Sequence, residues 1–130
     1  MWIRVVGSLI LIVVFWTIFD GAIHRIVLAP LYSKTPALWR PLDQMNVALI
    51  SVVTLVLAAF FVATFSLLIN PRSLETGILF GAFAGVALGV GSGFGTYIHS
   101  PIPLRLAWGW VIAGWLRAVG AGAIVGLLLH

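Results

Sequence analysis

The hydrophobic positions of this chain neither alternate nor gather on one face of a helix; they run on. Four stretches, residues 5–28, 47–69, 77–98 and 106–129, are apolar almost without interruption. A hydrocarbon core of about 30 Å takes about 20 residues of helix to cross, and each stretch reaches that length. A membrane β-barrel would instead alternate apolar and polar positions over short segments. Helices also satisfy their own backbone hydrogen bonds inside lipid. The pattern predicts an all-α integral membrane four-helix bundle, built as one domain over residues 1–130.

The breaks in the pattern predict the connections. Residues 29–46 hold Pro30, Pro36 and Pro41 with Lys34, Arg40 and Asp43, and also Leu31, Tyr32, Leu38 and Trp39. Prolines stiffen such a loop and aromatics seat it at the headgroup level, with room for a short interfacial helix. The other links, around Pro71-Arg72 and Pro101-Ile-Pro103, are short, so the helices they join should be antiparallel neighbours. Arg4 before Val5–Phe19 resembles the start of a signal peptide. No small-x-small cleavage pattern precedes Asp20, His24 and Arg25, so the first run is expected to stay as a spanning helix.

Composition agrees with the pattern. The chain is 62% hydrophobic and 8% charged, against about 25% charged in soluble domains. So few charges cannot make a water-facing surface. The net charge of +4 comes from seven scattered Lys and Arg against three acids, with no basic run. That excludes a nucleic-acid footprint and suits anchoring to anionic lipid. There is no cysteine, hence no disulfide, thiolate nucleophile or zinc–thiolate site.

Four spans put both termini on one membrane face, side A, with Arg4 and Arg72. Side B receives Arg25, Lys34, Arg40 and Arg105. The positive-inside rule then predicts side B in the cytoplasm, with the termini outside.

The third run carries Gly77, Gly81, Gly85, Gly89 and Gly93 at intervals of four, with Gly91 and Gly95 as a second series. The fourth carries Gly114, Ala118, Gly122 and Gly126. Spacing by four leaves a ridge without side chains on which another helix can approach closely. Packing between these two runs, a homo-oligomer seam, and contact with a lipid or quinone are the readings it allows. Gly89–Gly95 resembles a phosphate loop only superficially, lacking the preceding strand and the lysine. A local unwinding at Gly91–Gly95, exposing carbonyls, is the alternative there.

Asp20, His24 and Arg117 are the costly residues, because a charge inside a span needs a partner. Asp20 and His24 share one helix face. Counting from the side B ends, Asp20 and Arg117 differ in depth by only about 4 Å, which an arginine stem can bridge. The expectation is an Asp20–Arg117 ion pair with His24 above it, setting the first helix beside the fourth. A metal group of Asp20, His24 and His99 is disfavoured, because the spacing is not diagnostic. His99, Pro101, Pro103, Tyr97, Tyr32, Trp39 and Arg40 all fall on side B, making it the richer end. No nucleophile–base–orienter set and no paired carboxylates stand out, so the chain is read as a non-enzyme with no cofactor of its own.

The chain resembles a family of small bacterial four-helix integral membrane proteins of unknown function. The resemblance rests on Asp20 with His24, Leu28-Ala-Pro-Leu-Tyr32, Pro36-Ala-Leu-Trp-Arg-Pro41 with Met45, Gly95-Thr-Tyr97, Pro101-Ile-Pro103, and Leu106-Ala107 with Trp110. It implies that these side B positions belong together. Arg117 has no place in that pattern. Two functional readings follow. The first is a structural or accessory protein that self-associates or joins a larger membrane complex. The second is a small homo-oligomeric channel or transporter using Asp20, His24 and Arg117. A hydrated cavity reaching Asp20 would favour the second, and a dry, packed cluster the first.

Overall fold

A computed structural model describes all residues from Met1 to His130. The fold is all-α with four long apolar helices and no strand. They are α1 (Trp2–Ala22), α3 (Val47–Leu68), α4 (Leu74–His99) and α5 (Leu104–Leu128), with α2 (Ala29–Ser33) a short helix in the first connection. Only 23 of the 130 residues are buried, while Ile3, Leu11, Val52, Phe60, Leu67, Phe83 and Leu127 stand out from the bundle. Lipid is the environment in which so much exposed apolar surface costs nothing.

Helix ends follow local chemistry. Ser73 caps α4 by accepting from the Thr76 amide at 3.1 Å, and the Thr76 hydroxyl accepts from the Ser73 amide at 2.9 Å. This reciprocal box starts α4 three residues before the Gly77 predicted from hydrophobicity. Asn46 caps α3 through the Leu49 amide. Arg72 donates to the Ser66 carbonyl at 3.0 Å, tying the basic link to the C-terminal end of α3. On side A, Arg4 reaches the His130 carbonyl, which brings α1's start to the chain's end.

The tightest contact joins α4 to α5. All five glycines of the four-residue series on α4 are buried. Across from them lie Gly126, Gly122, Ala118, Trp115, Val111 and Ala107, in reverse order as an antiparallel pair requires. A Cβ on Gly77 or Gly81 would land on the carbonyl oxygen of Gly122 or Ala118, and one on Gly89 would lie 2.7 Å from the Val111 carbonyl oxygen. The ridge is therefore consumed inside the protomer and does not serve as a seam between copies. A Cβ on Gly91 or Gly95 would meet nothing within 4 Å, and α4 runs unbroken through both. This corrects the expectation of a local unwinding there: the helix keeps its hydrogen bonds and turns these two glycines away from the seam.

The remaining helices pack at different depths. On side A, α3 closes the bundle through Ala58, Phe61, Val62 and Phe65, which join Ile12, Trp16, Ala118, Ala121, Val125 and Leu129 in one core. Phe80 of α4 stacks on Phe61 at 4.7 Å and on Phe65 at 5.9 Å. Toward side B, α3 buries nothing beyond Thr54. Its first two turns stand away from α1 and α5, with Leu49, Ile50 and Val53 exposed. A second, smaller core of Leu28, Ile102, Leu106 and Ala107 ties the end of α1 to the start of α5 on that side.

Candidate functional site

Trp16 positions the half-buried charges. Its indole donates to the Arg117 backbone carbonyl at 3.1 Å, fixing α1 against α5. Its ring face lies under the Arg117 guanidinium, with Cζ 4.1 Å from the ring centroid, a cation–π contact that strengthens where water is scarce. One turn further along α1, Asp20 presents Oδ2 to Arg117 Nε at 3.6 Å. The structure thus brings Asp20 and Arg117 together. The contact is an ion pair without a hydrogen bond, because Nε is buried and has no acceptor within bonding distance.

After Asp20 the helix changes form. Ile23–Val27 is a π-helical turn, closed by the Leu28 amide on the Ile23 carbonyl at 2.8 Å. Such single wide turns often occur at functional sites. Here the turn brings His24 to α2, where its Nδ1 lies 2.5 Å from the Tyr32 hydroxyl. Trp110 Nε1 donates to the same hydroxyl at 2.6 Å. The hydroxyl oxygen accepts from Trp110, and it can donate its own proton to His24 when the imidazole carries its ring proton on Nε2. Trp39 completes a closed ring of four aromatics, 5.0 Å from Tyr32 and 5.9 Å from Trp110 between centroids, while His24 lies 5.8 Å from Tyr32 and 6.5 Å from Trp110. Burial pushes the Tyr32 hydroxyl above its ordinary range, with the Trp110 hydrogen bond pulling weakly the other way.

The other side B residues go elsewhere. Tyr97 is exposed and stacks on Phe94, which stacks on Trp108. His99 ends α4 in an exposed position, Pro101 is exposed in the link, and Pro103 caps α5. No three His, Asp or Glu side chains come close enough to hold a metal ion, so the Asp20, His24, His99 grouping does not form.

The stand-off of α3 creates a groove of about 710 Å³. One wall is polar: Asp20 and His24 from the first span and Arg117 from α5, with Arg40, Gln44 and Asn46 at the rim. The other wall is α3, with Leu49, Ile50, Val53 and Leu57, and Thr54 facing in. Thr54 spends its hydroxyl on the Ile50 carbonyl of its own helix. From Asn46 to Leu57 the α3 wall descends roughly 16 Å, about half a hydrocarbon core. Below it lies the closed side A core. Sequence reasoning places Asp20, His24 and Arg117 but misses Trp16 as the platform, the Tyr32–Trp110 link and the groove. The interval of four from Trp16 to Asp20 is a legible signal for the first of these.

A scan against protein-family models finds no match, and searches of the curated proteins and of the solved structures find none either.

Proposed function

We propose that this small all-α membrane protein is an accessory binding protein that takes the polar group of a ligand into the side B groove and holds it beside the Asp20–Arg117 pair. A cavity reaching Asp20 would by itself favour transport; what carries the accessory reading is that this groove of about 710 Å³ ends on the packed side A core. That volume falls within the roughly 300–1,000 Å³ of ligand sites. The groove serves one face only, because ten tightly packed residues close the bundle below it. A single protomer therefore offers access from side B without a path through, and transport would require that core to part.

The reading is one of binding rather than turnover. Asp20 is the only carboxylate lining the groove, and its lone lining hydroxyl, Thr54, is spent on its own helix. The positive-inside rule, four basic residues against two, supports side B as the cytoplasmic face. An inner-membrane location rests on the sequence resemblance alone, since no family model matches.

The absence of native cysteine makes the test clean. Single-cysteine variants at Val53 in the groove and Val62 in the core are exposed to a charged, membrane-impermeant thiol reagent in vesicles of each orientation. Val53→Cys should react only when the reagent is on the cytoplasmic side, and Val62→Cys from neither side. Protection of Val53→Cys from both sides would refute an open groove.

A further inference from the structure

We infer that the ligand of the groove is an anionic single-chain amphiphile drawn sideways from the bilayer, its carboxylate or phosphate head against Arg117 and its alkyl chain along α3. This inference rests on the groove being the binding surface, and adds the chemistry of its occupant.

The charge balance comes first. Among the lining residues Arg40 and Arg117 are basic and Asp20 is acidic, so the groove carries one surplus positive charge with His24 neutral. Arg117 has donors to spare. A guanidinium offers five N–H groups, and here Nε is buried without an acceptor while the Asp20 carboxylate stays 3.6 Å away. Burying a donor unpaired is costly. Nε itself is out of a ligand's reach, but the partly exposed terminal amino groups can meet a carboxylate or phosphate, the partner a guanidinium binds best. Trp16 under the guanidinium and its hydrogen bond to the Arg117 carbonyl hold that group in place, so a ligand need not order it.

The shape comes second. The polar side chains of the groove come from the first span, the rim and α5, and the aliphatic ones almost wholly from α3. An aqueous anion would leave Ile50, Val53 and Leu57 unpartnered, whereas an alkyl chain covers them. Ile50 and Val53 are about half exposed, at 54% and 48%, so the α3 wall is continuous with the lipid-facing surface. Basic pockets between spanning helices are a known setting for anionic lipid heads. Arg117 lies about 20 Å along α5 from its side B end. A head that must travel that far below the interface favours one chain over the bulk of a two-chain glycerolipid.

The test uses the full chain in phosphatidylcholine nanodiscs with two probes, spin-labelled stearate at a pH where it is ionised and spin-labelled phosphatidylcholine. The readout is the motionally restricted fraction in the electron paramagnetic resonance spectrum. Stearate should be restricted in preference to phosphatidylcholine. Arg117→Gln should weaken stearate binding by about 10- to 100-fold, the span expected for losing a hydrogen bond between charged groups. Leu57→Trp, which fills the α3 wall, should also weaken it. Asp20→Asn removes the competing anion and should strengthen it. Because Asp20→Asn and Arg117→Gln move in opposite directions, a general loss of fold cannot imitate the result. Equal restriction of both probes, or a fall in both variants, overturns the assignment. Displacement of stearate by inorganic phosphate overturns the bilayer source. If Val53→Cys is reagent-accessible and stearate shows no preference, the ligand class alone fails. If Val53→Cys is protected as well, the groove reading fails with it.

Discussion

A guanidinium half-way through a bilayer persists only if the protein offers something for its charge, and Arg117 has two such things. The Trp16 ring meets its face and the Asp20 carboxylate its edge. The ion pair was legible in the sequence from matched depth alone, since both residues count to nearly the same distance from side B. Its geometry was not, because depth does not say whether a pair bonds directly. At 3.6 Å the two charges attract without a shared hydrogen bond, and each retains the cost of leaving water. Removing one partner strands the other. Breaking a fully buried pair costs roughly 3–5 kcal/mol. Here the groove gives polar access, so about 1–3 kcal/mol is expected for Arg117→Leu or Asp20→Leu alone. The double replacement should cost less than either. Reversible unfolding in mixed micelles measures this, and equal losses for all three variants would sink the pairing.

The helices differ more in how they pack than in what they contain. Each spanning run was readable from its uninterrupted hydrophobicity, and the α4–α5 contact from glycines at intervals of four on both partners. The start of α4 was misplaced because the Ser73–Thr76 cap is a hydrogen-bond signal lying outside the apolar run. The stand-off of α3 had no signal, since its two halves are equally apolar and differ only in what faces them. The glycine ridge supports a sharp contrast between faces of one helix. A Cβ at Gly85 would lie 2.9 Å from the Trp115 Cα and 3.0 Å from the Ala118 Cβ, whereas one at Gly91 meets nothing within 4 Å. Backbone cannot yield as a flexible side chain does, so Gly85→Val should push α4 from α5 at a cost of about 1–3 kcal/mol. Gly91→Val, on the lipid-facing side, should stay within about 0.5 kcal/mol of the parent. Denaturation in mixed micelles followed by helical circular dichroism separates the two. Comparable losses would mean that the ridge is not what holds the helices together.

At the scale of the molecule the two ends of the bundle are built differently. Side A is closed by ten buried residues reinforced by the Phe61–Phe80–Phe65 stack. Side B has a hydrophobic core of only four residues, and its further cohesion comes from the aromatic ring around one hydroxyl, that of Tyr32. That asymmetry leaves the end bearing the groove the easier one to open, as ligand-binding regions generally are. It also gives the ends different responses to alkali. The folded-state pKa of Tyr32 is raised by burial above the unfolded value of about 10. The folded form therefore holds the proton more tightly. Its contribution to stability is complete below about pH 10 and falls away as the pH rises through the folded pKa. Ionisation would also put a charge where Trp110 and His24 now meet a neutral hydroxyl. Loosening should thus begin at side B under alkaline conditions while the side A core persists. In a Tyr97→Phe background Tyr32 is the only tyrosine, so its phenolate absorbance reports the titration directly. Its midpoint should lie above the ordinary range, and amide exchange at the start of α5 should quicken in step with it, ahead of exchange around Val62 and Val125. Simultaneous loosening of both ends would mean that the Tyr32 contacts support the whole bundle rather than one face.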